Sequence, residues 1–460
     1  MRNASAPINK IPPEILALVP DFLDHEDTIT LTHVCETWRD VFVSQSSLWT
    51  YFDCKNVEKT RIYLERSNSS PIHLFFTCKS EVISPHDPFF QITPHDIVRL
   101  KSLSVEGTPT NMRGITSHLS HPAPLLEYLS IDAGNLNLIY RPQITSTLLN
   151  GDLSSLRTLH LKFVQTDLPW RNMVNLTSFT LFSPSLEPVS VRQLLDFFES
   201  TPHLCRVELR HAMSKNGVQN GQLVSLACLK SMIIDDFHPP ALLDHLLIPA
   251  GAELEIRGYF DNSPIGALLP RSLNNLENFS NVTKIQLYFL DQPHVQMIFS
   301  GPNGRVDLSF RTSQADPTNF LLESLAQFDN SKTEWLEIYN AGGLSKVILY
   351  RTLLPMADLR TLTLSKCTDL DTFIHTLQPS MSLSEVMVCP RLEEFTLVLG
   401  FYGISDTTEL VEMAAARASR GNKLRTIGII DTRRYRSNLD VSELKEHVCN
   451  VEYDRGVGMP

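Results

Sequence analysis

Apolar positions follow two different periods along this chain. From Ile11 to Trp49 they recur at helical spacing: Ile11, Ile15, Leu18, Val19, Phe22 and Leu23 form one stripe, and Leu31, Val34, Cys35, Trp38 and Phe42 form a second. Pro12 and Pro13 suit a first helical turn, where their missing N–H groups would lack partners in any case. Pro20 removes a backbone donor inside the first stripe, so the first helix is expected to be short or bent there. Leu48 and Trp49 follow a Ser-rich turn and close the unit. Three short helices of this size bury too little apolar surface to be self-sufficient, so the unit is expected to complete its surface against something else.

From about residue 100 the pattern changes to one apolar residue, two variable ones, then two apolar residues flanking one variable position. Leu156–Leu161, Leu126–Ile131, Leu176–Leu181 and Leu204–Leu209 show it, as do Leu229–Ile234, Leu359–Leu364, Leu392–Leu397 and Leu424–Ile429, with weaker copies near Leu103, Leu254, Ile285, Val306 and Leu336. The mean period of about 27 residues resembles that of leucine-rich repeats, although the spacing is irregular and the consensus asparagine is mostly missing. Alternate strand residues face opposite ways, which turns Leu159 and Leu161 inward and Thr158, His160 and Lys162 outward. Val191–Ser200, Pro240–Leu247, Phe320–Phe328 and Thr407–Ser419 read as helical returns between strands, and Gly301-Pro302-Asn303-Gly304 reads as a tight turn that distorts the repeats between 290 and 320. The predicted fold is therefore α/β: a small three-helix N-terminal unit, then an irregular leucine-rich-repeat solenoid with parallel strands on the concave face and helices outside. Binding is expected on the exposed strand positions. Aromatic and Arg side chains dominate binding hot spots, so Tyr128, Phe182, Arg206, Arg210, Trp335 and Tyr339 are the candidates for holding a protein partner.

The N-terminal stretch carries Ile11-Pro12-Pro13-Glu14-Ile15-Leu16, then Val34-Cys35-Glu36-Thr37-Trp38-Arg39, then Leu48-Trp49. In that order and spacing these submotifs resemble the F-box, with Val19-Pro20 standing where the family usually has Ile-Phe. The resemblance implies docking onto a Skp-family adaptor, and through it a cullin, by Pro12, Ile15, Leu16, Leu23, Leu31, Val34, Cys35, Trp38, Leu48 and Trp49. It also implies a non-catalytic receptor in a ubiquitin ligase, with no cofactor. Asn56 is a good N-cap for a helix through Ser67. The Leu64-Glu65-Arg66-Ser67 run, a Ser-Pro break and an Ile72–Phe76 strand then resemble the segment that follows the F-box in many fungal F-box proteins. Residues 77–96, with three prolines, read as a loop. The resulting division is 8–52 for the F-box, 53–98 for a connecting segment, 99–432 for the repeats and 433–460 for a cap or tail, with Arg433, Arg434 and Arg436 on its surface and a short helical pattern at Val441–Val448.

Composition narrows the function classes. A net charge of −11 gives no bulk electrostatic case for nucleic acid. The eight cysteines are scattered without a CxxC pair, which indicates neither zinc nor a disulfide framework. There is no N-terminal targeting pattern and no run of eighteen apolar residues, so a cytoplasmic and/or nuclear protein with no membrane partner is expected. No nucleophile elbow, Walker loop, dinucleotide fingerprint or HExxH motif occurs. Cys367 and Cys389 lack a nucleophile signature and read as small buried hydrophobes. The Asp235-Asp236/His238/His245 neighbourhood is broken by Pro239 and Pro240 and makes a poor metal site. The alternative to a ligase receptor is a repeat scaffold whose N-terminal helices merely cap the first repeat.

Overall fold

In the computed structural model the described residues are 11–22, 25–78, 84, 86–134, 141–145, 147–167, 172–183, 188–214, 223–260, 269–290, 294–312, 317–326, 328–379, 386–400, 404, 406–432 and 439–454. They form two compact units, Met1–Asn216 and Gly217–Pro460.

Unit 1 begins with α1 (Pro13–Leu16), a 3-10 turn at Val19–Phe22, α2 (His25–Leu31), α3 (Glu36–Ser44) and a second 3-10 turn at Ser46–Trp49. The first helix is only four residues long, and the chain tightens into the 3-10 turn at Pro20, where an α-helical donor is missing. The stripe from Leu31 to Phe42 was expected to be one helix. It is broken between α2 and α3, because Cys35 adopts an extended conformation as the N-cap of α3. Then follow β1 (Tyr51–Asp53), α4 (Val57–Arg66), β2 (Ile72–Thr77), α5 (Pro94–Val98), β3 (Leu100–Glu106), α6 (Pro109–His118), β4 (Tyr128–Asp132), β5 (Gln143–Ile144), β6 (Thr158–Lys162), β7 (Gln165–Thr166), β8 (Ser178–Phe182), α7 (Val191–Ser200) and β9 (Arg206–Arg210). Strands β1, β2, β3, β4, β6, β8 and β9 pair in that order, all parallel. The parallel array thus already starts at Tyr51, inside the segment expected only to connect. α5 lies in part of the expected loop, because Thr93 and Asp96 form a capping box around Pro94.

Unit 2 contains β10 (Val224–Ser225), β11 (Ser231–Asp235), α8 (Pro240–Leu243), β12 (Leu246–Leu247), β13 (Glu253–Phe260), β14 (Lys284–Phe289), β15 (His294–Gly301), β16 (Gly304–Thr312), α9 (Pro317–Leu325), β17 (Trp335–Tyr339), α10 (Lys346–Leu353), β18 (Thr361–Ser365), α11 (Leu370–Leu377), β19 (Glu394–Leu399), α12 (Thr408–Ser419), β20 (Thr426–Asp431), α13 (Leu444–His447) and β21 (Asn450–Asp454). β11, β13 and β16 are parallel neighbours, and so are β14, β17, β18, β19, β20 and β21. Between the two runs, β15 pairs antiparallel with both β14 and β16. The array is therefore not wholly parallel. The expected turn at Gly301–Gly304 closes the β15–β16 hairpin, and Gly304 has φ 129°, where a Cβ would meet the Ala252 carbonyl at 2.8 Å. The return expected at Pro240–Leu247 is helical only to Leu243, and β21 adds a strand after the last one predicted. Leu23, Arg433, Arg434 and Arg436 lie outside the described residues.

The inward rows carry the cores. Leu129, Ile131, Leu159, Leu161, Phe179 and Leu181 are essentially sealed in unit 1, as are Leu336, Ile338, Leu362, Leu364, Phe395 and Leu397 in unit 2. Each such side chain contributes about 1.5–3 kcal/mol by leaving water. Two buried arginines staple the returns. Arg99 pairs with Asp96 at 2.8 Å and donates to Ser67 Oγ and to the Ser70 and Leu64 carbonyls, tying the end of α4 to α5. Arg417 on α12 is sealed from solvent and donates to the carbonyls of Leu377, Val388 and Cys389. Burial depresses its pKa to about 10. Removing one partner of a buried ion pair leaves an uncompensated charge, so Arg99→Ala is predicted to destabilise unit 1 by about 3–5 kcal/mol. Protease susceptibility of the α4–β3 region along a urea gradient measures this, and an unchanged midpoint contradicts it.

Candidate functional site

The N-terminal helices sort their apolar side chains into two populations. Leu16, Leu31, Trp38 and Phe42 form a small closed core, with Ile11, Val19, Cys35, Val41 and Leu48 packed partly against it. The Trp38 and Phe42 rings meet edge to face at 5.6 Å. Gln45 Nε2 donates to the Ala17 carbonyl at 3.2 Å and Arg39 Nε to the Thr32 carbonyl at 3.1 Å, fastening α3 to the end of α1 and to the link after α2. The other population faces solvent: Ile15 is 52 % exposed, Leu18 53 %, Phe22 86 % and Val34 48 %. Holding four large apolar side chains in water forfeits burial energy that a partner surface would recover.

This partition changes the residue set read from sequence. Pro12, Ile15 and Val34 are exposed, while Cys35 and Leu48 are half-buried. Leu16, Leu31, Trp38 and Trp49 are buried, at 0, 9, 8 and 1 % exposure, the first three within the small helical core. Trp49 belongs to a different contact. Its Nε1 donates to the Phe42 carbonyl at 3.0 Å, its ring meets Tyr63 on α4 at 5.1 Å, and the Arg66 guanidinium lies 4.4 Å from its centroid. Leu18 and Phe22 were missed as surface residues although both belong to the first apolar stripe. The signal was the shortness of the helix, which leaves that stripe without a neighbour.

On the sheet faces, the strand pattern turns every repeat candidate outward. In unit 1 Tyr128 lies beside His160, with ring centroids 5.5 Å apart. Phe182 stands between Phe163 at 4.6 Å and His211 at 6.0 Å, opposite Arg210 in the ladder. Arg210 is bound to Glu208 at 2.6 Å, whereas Arg206 is exposed opposite Ser178. Tyr128 and Phe182 lie in different rows, two strands apart, so unit 1 does not gather these candidates into one cluster. In unit 2 Trp335 is 40 % exposed with Lys284 Nζ 3.5 Å from its ring centroid. Tyr339 lies 6.0 Å from Tyr288 and accepts from Lys366 Nζ at 2.8 Å. Sequence reasoning missed Lys284, Tyr288 and Lys366, which only the ladder register brings to these rings.

Cys367 and Cys389 are buried, and burial pushes their thiols up to about 11 and about 12, far from a reactive thiolate. Among the described residues no group of three or more His, Cys, Asp or Glu could hold a metal, and no helix is long and apolar enough to cross a membrane.

These helices and turns thus enclose a small core while Ile15, Leu18, Phe22 and Val34 stay exposed. A family model described as F-box-like matches residues 8–55. The chain therefore carries an F-box-like domain at this end, and such domains typically bind Skp-family adaptors. No curated protein matches the chain.

Burial holds His73 and His160 below their ordinary pKa of 6.5; Lys101 lowers His73 further and Lys162 lowers His160 further, against Glu127 and Glu208 respectively. The unfolded chain thus binds these protons more readily. The neutral imidazoles contribute stability that is present above 6.5 and lost as the pH falls through the window below it. His73→Gln with His160→Gln is predicted to flatten the stability–pH slope of unit 1 in that window, while an unaltered slope in chemical denaturation would count against it.

Proposed function

We propose that this chain is the substrate-recognition subunit of an SCF-type ubiquitin ligase, working in the cytoplasm and/or nucleus. The observation that carries this reading is the solvent-facing set Ile15, Leu18, Phe22 and Val34 on an F-box-like domain whose own core is already closed. In this reading residues 8–52 dock on a Skp-family adaptor, which connects to a cullin. The connecting segment 53–98 orients the docked end. Residues 99–432 act as an irregular leucine-rich-repeat solenoid whose outward strand positions hold a protein substrate, with 433–460 as its cap. Successive strands in ladder register with helical returns, in each unit, support the repeat assignment. The protein contributes proximity: holding a substrate lysine near activated ubiquitin raises its effective concentration, so no catalytic side chain is required.

The scaffold alternative treats the N-terminal helices as a cap on the array. The contact of Trp49 with Tyr63 favours it, since that end does pack on the following segment. A cap, however, has no use for Phe22 at 86 % exposure.

Ile15 and Phe22 would each contribute about 1.5–3 kcal/mol on burial against an adaptor. Ile15→Glu with Phe22→Glu is therefore predicted to weaken adaptor binding by about 100-fold or more. Co-expression with a Skp-family adaptor followed by gel filtration reads this as loss of a stoichiometric complex that the unmodified chain forms. A folded, unmodified chain that forms no complex rejects the receptor reading.

A further inference from the structure

The carboxyl ends of β6, β8 and β9 in unit 1 carry a line of flat side chains. Phe163 follows β6 with φ 56°, a left-handed conformation uncommon for a bulky residue. Its ring lies 4.6 Å from that of Phe182 at the end of β8, and Phe182 lies 6.0 Å from His211, which follows β9. All three are half-exposed, so together they form a shelf that a partner can reach. The guanidinium of Arg141 joins this shelf, 4.9 Å from the Phe163 ring centroid.

The backbone fixes Arg141 there. Pro142 follows it and restricts it to extended conformations. Gln165 N donates to the Pro142 carbonyl at 3.0 Å where β5 pairs with β7, and Arg141 Nη1 donates to the Gly134 carbonyl at 3.2 Å. Arg141 is only 5 % exposed, yet its Nε and Nη2 are buried with no hydrogen-bond partner. Arg99, buried to the same degree, donates from all three of its nitrogens. Burial alone lowers the pKa of Arg141, with no carboxylate acting in the other direction. The Phe163 ring offsets part of the cost of the buried charge, and the unfilled edge keeps the rest. Nε and Nη2 lie on one edge of the guanidinium, the edge that grips a carboxylate through two parallel hydrogen bonds.

We infer that the Nε/Nη2 edge of Arg141 seats one carboxylate of a protein partner, with an apolar group next to that carboxylate lying on the Phe163–Phe182 shelf. The inference rests on the substrate-binding role proposed for the repeats and supplies the substrate's chemistry. The surrounding charges select a monoanion. The row at the strand ends runs Glu106, Asp132, Lys162, Phe182 and Arg210. Its bases already face acids: Lys162 lies opposite Asp132 in the ladder, and Arg210 is bound to Glu208 at 2.6 Å. Asp132 also accepts from Gly134 N at 2.9 Å, beside the carbonyl that holds Arg141. Arg141 is thus the cation of this end that lacks an acid among the described residues, and a carboxylate matches it one for one. A phosphate dianion would bring a second charge toward Glu106 and Asp132 with no further cation to meet it. The carboxylate can come from an Asp or Glu side chain or from a chain terminus.

The test uses the full-length protein and labelled twelve-residue Ser/Gly peptides in two arms. In the first, end-blocked peptides carry a central Phe-Glu, Phe-Gln or Phe-phosphoserine pair. In the second, the peptide ends in Phe as a free acid or as an amide. In at least one arm the carboxylate should bind about ten-fold or more tightly than its amide counterpart, and the arm that responds identifies the source. The phosphoserine peptide should bind no more tightly than the Phe-Glu peptide. Arg141→Met should abolish the preference. Arg141→Lys keeps the charge but loses the two-bond edge, should weaken the preference by about three-fold or more, and decides the matter if Arg141→Met does not fold. Circular dichroism checks folding, and Trp335→Ala, in unit 2, should leave the preference intact. Equal binding of acid and amide in both arms, tighter binding of phosphoserine, or a preference unchanged in a folded Arg141 variant overturns the inference. The Ile15→Glu/Phe22→Glu variant should bind the peptides as the unmodified chain does. Loss of adaptor binding alone therefore speaks to the ligase reading, and loss of carboxylate selectivity alone to Arg141.

Discussion

Trp49 holds the N-terminal helices to the sheet of unit 1, and the proposed function depends on that join. The ring is almost fully buried, its N–H is anchored on the carbonyl of Phe42 at the end of the helical core, and its faces meet Tyr63 and Arg66 of α4. Phe52 on β1 meets Tyr63 at 5.2 Å, so the same tyrosine is packed from the sheet side as well. An aromatic ring wedged between two elements gives both a large burial and a defined angle. The helices are too few to hold an orientation alone. Without this wedge, the exposed Ile15, Leu18, Phe22 and Val34 would hang from the chain with no fixed relation to the outward strand rows of unit 1.

Register does for the sheet what the wedge does for the helices. Because each parallel strand meets its neighbour residue for residue, one-residue alternation in sequence becomes continuous rows in space. An apolar residue at every second position produces a sealed floor of Leu, Ile and Phe. The intervening positions, unconstrained by packing, are free to vary and produce relief and charge. The lysine-flanked rings of unit 2 are a product of this freedom.

Much of this was legible in the chain because it rests on short-range pattern. The Leu-x-x-Leu-x-Leu template located β3, β4, β6, β8, β9, β11, β13, β14 and β16 to β20 but not the short or antiparallel strands between them, Val191–Ser200 appeared as a helix with its boundaries, and Asn56 capped α4 as its side chain required. What escaped notice depended on partners distant in sequence or on very short elements. β1 has three residues and no repeat template, and the antiparallel insertion of β15 is defined by two neighbours rather than by its own sequence. The exposed apolar set proposed for docking was half legible for a similar reason. An apolar stripe identifies a helix face but cannot say which members close the core and which remain outside, and four-residue α1 buries Leu16 while leaving Ile15 and Leu18 in water. The neighbours of Trp335 and Tyr339 could not be read from spacing either, since Lys284 and Tyr288 come from a strand about fifty residues away, a separation that only the ladder closes.

The most direct test is hydrogen–deuterium exchange of the intact chain with and without a purified Skp-family adaptor. The account predicts added protection confined to residues 11–34, where Ile15, Leu18, Phe22 and Val34 would pass under the adaptor, with the outward rows of β2 to β9 unchanged. Absence of added protection there, or protection on the sheet in its place, would contradict the assignment of this end as the docking module.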